Sequence, residues 1–389
     1  MSQGIPTNPD VLKWARETRG LDVEDVVQKL ARKGITSDLV CAWENGSESP
    51  SYPQLERLAY EIYKRPLAVF FFPEPPEEES VQQSFRTLPE YEIKQLPPRL
   101  RLLLRKAKVF RCNLFELHND INPAPRQILR DLSFRPDVSA MEMASSVREY
   151  LGIDLNEQIR WENSEVALKQ WRNALEDKGI FIFKDAFKLN EFSGFCLYDD
   201  SFPIVYVNNT KSKTRQTFTL FHELAHLFFQ TGGIDTPIEG YVEYLEGENR
   251  RIEVLCNRFA GAFLVPDHEL DQRIRNRQIT GEYIQALSNI YHVSREVILR
   301  KLFDRGLFDQ FYYDRKVREW AEPPKKEKPG SGNYYRNIGA YLGSKYLDTV
   351  FGQYYQSRIT VEQLADYIGI KVKNFPGVEM MLMGKEATT

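Results

Sequence analysis

The stretch 214-TRQTFTLFHELAHLFFQTGG-233 decides how the rest of this 389-residue chain is read. It holds His222, Glu223 and His226 in the order His-Glu-x-x-His. On a helix, residues i and i+4 stand one above the other, so both imidazoles face one point while Glu223 lies beside them, placed to take a proton from water held there. Phe218, Leu220, Phe221, Leu224, Leu227 and Phe228 make nearly every face of this helix apolar, which predicts that it is buried. Two of the chain's five histidines at ligand spacing in such a place call for partners. A core pair satisfied by hydrogen bonds is the plain alternative. One zinc ion, held by three protein ligands with a fourth position open to water, explains the pattern better.

The third ligand has to come from a neighbouring element. Glu253, in 251-RIEVLCNRFAGAFLVP-266, is the leading candidate, because Cys256, Phe259, Ala260 and Phe263 form an apolar stripe on its side of a helix, and a carboxylate on a buried face needs a cation. Asp235, Glu239, Glu243, Glu246, Glu248, Asp267 and His268 remain rivals on spacing alone, with His268 reading as a capping or surface residue after Pro266. Upstream of the motif, a helix around Trp171 leads into three short β-rich segments, Gly179–Phe183, Ser193–Leu197 and Phe202–Asn208. Asp199 and Asp200 predict a hairpin between the last two. The edge of the Phe202–Asn208 strand is the expected place for an extended peptide to add by backbone pairing. Tyr241 and Tyr244 offer hydroxyls near the motif, and neither is assigned as an oxyanion donor.

Farther out, 73-PEPPEEE-79 and 322-EPPKKEKPGSG-332 combine proline with charge, cannot pack a core, and read as linkers. The first 72 residues carry five short helical patterns separated by Gly20, Gly34 and the turn Gly46–Pro50, a compact all-helical unit. Within Pro97–Ile121, Leu102, Leu103, Ala107, Phe110, Leu114 and Leu117 predict a helix. Arg99, Arg101, Arg105, Lys106, Lys108 and Arg111 make its other side basic, either a solvated face or a surface for an acidic partner or nucleic-acid backbone. Composition is that of a soluble folded protein, with 42% hydrophobic and 28% charged residues and no run approaching a membrane span. A net charge of -3 gives no global attraction to nucleic acid, so DNA binding would need a local patch. The N-terminus has no signal-peptide pattern, and four widely spaced cysteines fit reduced thiols. A cytoplasmic protein without membrane attachment is expected.

Two resemblances extend this reading. The run 20-GLDVEDVVQKLARKGITSDLVCAWENGSESPSYPQLERLA-59 resembles the Xre-type helix-turn-helix family, whose recognition helix is followed by a Trp-Glu-Asn-Gly turn, here Trp43–Gly46. That resemblance implies Ser37, Asp38, Cys41 and Ala42 as the positions facing operator DNA. The sequence departs from the family there: Val23 replaces a frequent glutamine, Cys41 and Ala42 replace polar or basic residues, and Asp22, Glu24, Asp25, Asp38 and Glu44 would repel phosphates. DNA binding and protein interaction stand as equal readings of this unit. The second run, 202-FPIVYVNNTKSKTRQTFTLFHELAHLFF-229 followed by 253-EVLCNRFAGAFLVP-266, is similar to the ImmA/IrrE family of zinc metallopeptidases. It implies His222, His226 and Glu253 as ligands of one zinc ion and Glu223 as general base, while Leu255 and Cys256 depart from a frequent Glu-Ala.

The architecture so implied is α+β: an all-α helix-turn-helix domain (1–72), a linker (73–98), a helical connector (99–165), a zincin-like α+β metallopeptidase domain with a small sheet (166–321), a second linker (322–332) and a C-terminal helical tail (333–389). In the tail, Tyr334–Phe351 reads as a helix, and Thr360 with Gln363 as a capping box opening another; the pair needs cover from the rest of the chain or from a partner protein, and a partner is expected. Fusions of this kind resemble regulators that cleave a specific protein such as a repressor. The alternative is an antitoxin that binds and neutralises a toxin, of the kind resembling a PIN-type ribonuclease, and regulates its own operon, with the zinc mainly structural or the peptidase site dormant or regulatory. Operator DNA, a protein substrate or cognate toxin, and a dimeric state are the partners these readings carry.

Overall fold

The computed structural model describes residues 4–30, 34–79, 96–231, 234–235, 247–320 and 334–386. It is mixed α+β, mostly helical around one small sheet, and divides into two compact units, Met1–Lys106 and Ala107–Thr389. The division falls inside the helix Pro98–His118 rather than in the proline-rich segment before it.

In the first unit, helices Pro9–Arg19, Val23–Leu30, Ser37–Glu44 and Tyr52–Arg57, with a π-turn at Leu58–Tyr63 and a 3-10 turn at Leu67–Phe71, close around Val11, Leu12, Val26, Val40, Trp43, Leu55 and Phe70. Two features change the charge expected here. The Arg16 guanidinium donates to both carboxylate oxygens of Glu44, at 2.7 and 2.9 Å, so Glu44 is neutralised within the fold. Asp22 and Asp25 accept from each other's backbone N–H at 2.6 and 3.1 Å, capping the helix between them. The basic helix side is likewise partly used up. Arg105 donates to the carbonyls of Tyr63 (3.3 Å) and Lys64 (2.6 Å), closing a helix end, and Arg101 donates to Leu96 O at 3.2 Å. Arg101 and Arg105 are thus bonded within the unit, and the face is not wholly solvated.

The second unit holds the sheet, β1 (Phe181–Asp185), β2 (Gly194–Leu197), β3 (Ile204–Asn208) and β4 (Ile234–Asp235), in the order β1-β3-β2-β4. The expected hairpin is present as the antiparallel pair β2–β3. β1, however, pairs with β3 in parallel, so β3 is interior and has no edge for a peptide to join. Its residues are buried on both faces, which is why it reads Ile-Val-Tyr-Val rather than alternating.

On this sheet lies the motif helix, Lys213–Phe228, opened by Ser212, whose hydroxyl accepts from Arg215 N. It ends earlier than the glycines of the quoted stretch. Gln230 takes a left-handed φ of 54°, Gln230 N donates to Leu227 O and Thr231 N to His226 O, both at 3.0 Å, the bond pattern of a Schellman stop. The facing helix, Gly247–Leu264, packs against it through Phe263, which stacks on Phe221 with centroids 4.0 Å apart. Trp171, from helix Ser164–Glu176, meets both rings edge-on at 5.2 and 5.1 Å. β2 comes close beneath: a Cβ on Gly194 would lie 2.5 Å from Thr219 Cγ2 and 2.9 Å from Tyr206 O.

The C-terminal segment packs on its own chain, the other of the two sources of cover its sequence left open. Helix Tyr334–Leu342 lies on β1, Tyr346 meets Phe183 and Phe110 edge-on at 5.2 and 5.7 Å, and Gln353 donates to Leu117 O at 2.9 Å. Arg172 joins three segments, donating to Glu176 Oε1 (2.8 Å), to Ala340 O (3.0 Å) and to Ile182 O. The helix expected over Tyr334–Phe351 is broken at Gly343, whose φ of 84° and contact with the Arg172 guanidinium exclude a side chain. The Thr360–Gln363 capping box forms as read, and a further helix, Phe375–Glu386, follows. Among the described residues no helix is long and apolar enough to cross a membrane.

Two outcomes follow from this packing. Replacing Gly194 by alanine should cost about 1–3 kcal/mol of stability through overpacking against Thr219, read as a lower urea midpoint; an unchanged midpoint would contradict the close approach. Lys184 on β1 is buried, with its ammonium donating to Gln216 Oε1 at 3.2 Å. Burial, then Arg172 and Lys213, depress its pKa from 10.5 to about 7. Between those values the unfolded chain holds the proton and the folded chain does not, so stability rises with pH. Relative to Lys184→Met, the parent should gain roughly 3–5 kcal/mol across that window. Parallel pH curves for the two chains would sink the assignment.

Candidate metal centre

His222, Glu223 and His226 are all buried in the motif helix, and the facing helix brings Glu253 to the two histidines. His222 Nε2 lies 3.1 Å from His226 Nε2 and 3.4 Å from Glu253 Oε1, and His226 Nε2 lies 3.1 Å from Glu253 Oε2. Among the described residues this is the one cluster of histidine, cysteine or acidic side chains with metal-ligand spacing. The spacing can be tested against an ion. Bonds of about 2.0–2.1 Å at tetrahedral angles put neighbouring ligand atoms about 3.3 Å apart. The observed separations, with Glu253 reaching His222 through Oε1 and His226 through Oε2, lie near that figure, and three protein ligands would leave one tetrahedral position to a water or substrate oxygen.

The electrostatics agree. Burial pushes the Glu253 carboxyl up, but His222 and His226 outweigh it and bring it down to about 2. Burial alone would depress His226, yet Cys256 and Glu253 raise it well above its ordinary value. Burial likewise pushes the Cys256 thiol up. With no ion, a proton on the imidazole pair therefore supplies the positive charge that the buried carboxylate demands. A divalent cation supplies it better, because the two Nε2 lone pairs are then used as well.

Around the ligand atoms, Asn257 Nδ2 donates to Glu253 Oε1 at 3.4 Å and to Glu253 O at 3.1 Å. Thr231 Oγ1 lies 3.1 Å from His226 Nδ1. Phe218 stacks on His222, centroids 6.4 Å apart, and Arg215 covers Phe218 on the side toward the helix start. Thr231 was invisible to sequence reasoning. Its only signal is its place just past the end of a helix whose last turn carries a candidate ligand.

Two of the rival ligands can be placed, and both are engaged elsewhere or exposed. Asp267 pairs with Lys301 at 2.9 Å and Arg305 at 2.6 Å, and His268 is exposed at a helix start. Asp235 sits in β4 and Glu248 at the start of the facing helix, with side chains outside the described atoms. Glu239, Glu243, Glu246, Tyr241 and Tyr244 lie outside the described residues. In the first unit, Ser37, Asp38, Cys41 and Ala42 all lie on helix Ser37–Glu44, with Asp38 and Cys41 exposed and Ser37 and Ala42 partly so.

Comparison with known proteins agrees with this geometry. Residues 175–303 match the family described as IrrE N-terminal-like domain, Peptidase M78. The radiation response metalloprotease IrrE of Deinococcus deserti is 32% identical over 110 residues, covering 28% of this chain and 38% of that protein. The radiation response metalloprotease IrrE of Deinococcus radiodurans is 26% identical over 132 residues, covering 33% of this chain and 39% of that protein. The matched part thus spans well under half of these relatives. Residues 175–303 enclose both ligand-bearing helices and the sheet beneath them, and their matches support the ImmA/IrrE family and a metallopeptidase domain for this part of the chain.

Proposed function

We propose that this protein is a zinc-dependent endopeptidase that cuts a specific protein, such as a repressor, and that its first unit is a helix-turn-helix module binding DNA or a protein partner. The observation that carries the reading is the buried convergence of His222, His226 and Glu253, with Glu223 buried on the same helix next to His222. A purely structural ion would need no adjacent base.

In this reading His222, His226 and Glu253 hold the zinc ion. The ion, when bound, supplies Lewis-acid activation of the attacking water and of the scissile carbonyl. Glu223 accepts the water's proton and returns it to the leaving amine, a role suited to a carboxylate kept from bulk water. Asn257 holds the Glu253 carboxylate in place. The sheet offers no substrate edge at β3, so a peptide reaching the site would pair on the β4 side. For the first unit, neutralisation of Glu44 by Arg16 removes one of the charges that would repel a phosphate backbone.

The parent chain should purify with about one zinc, absent from both His222→Ala and Glu253→Ala. Glu223→Gln should keep the zinc and cut a peptide library, read by mass spectrometry, about 10²–10⁴-fold more slowly than the parent. A parent that takes up no zinc when it is supplied would end the metallopeptidase reading. A parent that binds zinc but cuts nothing would favour the antitoxin-like reading, in which the chain acts by binding.

A further inference from the structure

His226 is the last of the candidate ligands on its helix, and the chain stops being helical almost as soon as it has passed. The stop is specific. With Gln230 left-handed, the Schellman turn brings Thr231 back over the last turn, and Thr231 N donates to His226 O at 3.0 Å. The Thr231 side chain follows its backbone: Oγ1 lies 3.1 Å from His226 O and 3.1 Å from His226 Nδ1. On its other side, Cys196 Sγ of β2 donates to Thr231 O at 3.7 Å, so the residue is held between strand and helix.

A hydroxyl has one hydrogen. When that hydrogen is given to His226 O, which can only accept, the oxygen meets Nδ1 with its lone pairs. Nδ1 must then carry its own hydrogen, and in the neutral ring the free lone pair is left on Nε2. Nε2 is the atom that stands 3.1 Å from both His222 Nε2 and Glu253 Oε2.

We infer that Thr231 is the positioning residue of the metal centre: its hydroxyl accepts the His226 Nδ1–H, fixing the ring's tautomer and rotation so that Nε2 faces the ion. The inference rests on the metallopeptidase reading above. It assigns to a helix-stopping residue the task that a carboxylate or backbone carbonyl commonly performs behind a metal-bound histidine.

The test compares zinc affinity, by competition with a chromophoric chelator, in the full-length parent, Thr231→Val and Thr231→Ser. Valine keeps the shape and loses the acceptor; serine keeps the acceptor. The expected result is a 10–100-fold loss of affinity in Thr231→Val, with Thr231→Ser restored to the parent's value. If Thr231 merely closes the helix, Thr231→Val will melt earlier without zinc yet bind the ion as the parent does, which overturns the assignment. Should Thr231→Val fail to fold, nitrogen-15 spectra of histidine-labelled, zinc-loaded parent decide instead. A protonated His226 Nδ1 supports the proposal, and a bare Nδ1 overturns it. A parent that binds no zinc at all is a separate result, removing the metallopeptidase reading on which this one stands.

Discussion

Two imidazoles and a carboxylate held 3.1–3.4 Å apart in an apolar interior are the constraint around which the second unit is organised. Left in water these groups would be indifferent to one another; taken out of it, each is costly until a positive charge is found for them. The packing works to make the convergence unavoidable. Phe221 against Phe263 fixes how the two helices face each other, Trp171 closes the back of that pair, and the bare Cα of Gly194 lets the sheet lie close beneath. The apolar contacts supply the stability, and the polar cluster spends part of it.

How much of this could be read beforehand depended on distance along the chain. The motif helix, the helix carrying Glu253 and the β2–β3 hairpin were legible because their signals are local: a fixed spacing, an apolar stripe, a pair of turn residues. The place of β3 in the sheet was not, since the partner that covers its second edge, β1, joins it through a parallel pairing with no local sequence signature. Glu44 showed the same limit at smaller scale. As a residue in a list it was a repelling charge; its neutralising partner Arg16 lies 28 positions away.

The basic helix and the tail were both judged by an amphipathic face without knowledge of what lay opposite. Periodicity says that a face needs cover and is silent about its source. For Arg105 the answer was a pair of carbonyls at a helix end, and for the tail it was β1 and the second half of helix Pro98–His118. Gly343 belongs to the same story, as the break between two tail helices is set by the guanidinium of Arg172, far away in sequence. The convergence of His222, His226 and Glu253 was easier to foresee, because few side chains bind a metal and fewer are buried without a partner.

The end of the motif helix is not a free parameter. Successive residues on a helix turn by about 100° and climb 1.5 Å, so adding or removing one residue between His226 and Gln230 would swing Thr231 to another side of the cylinder and carry its hydroxyl away from the ring. Among chains built on this plan the count of residues from His226 to the stop should therefore stay constant.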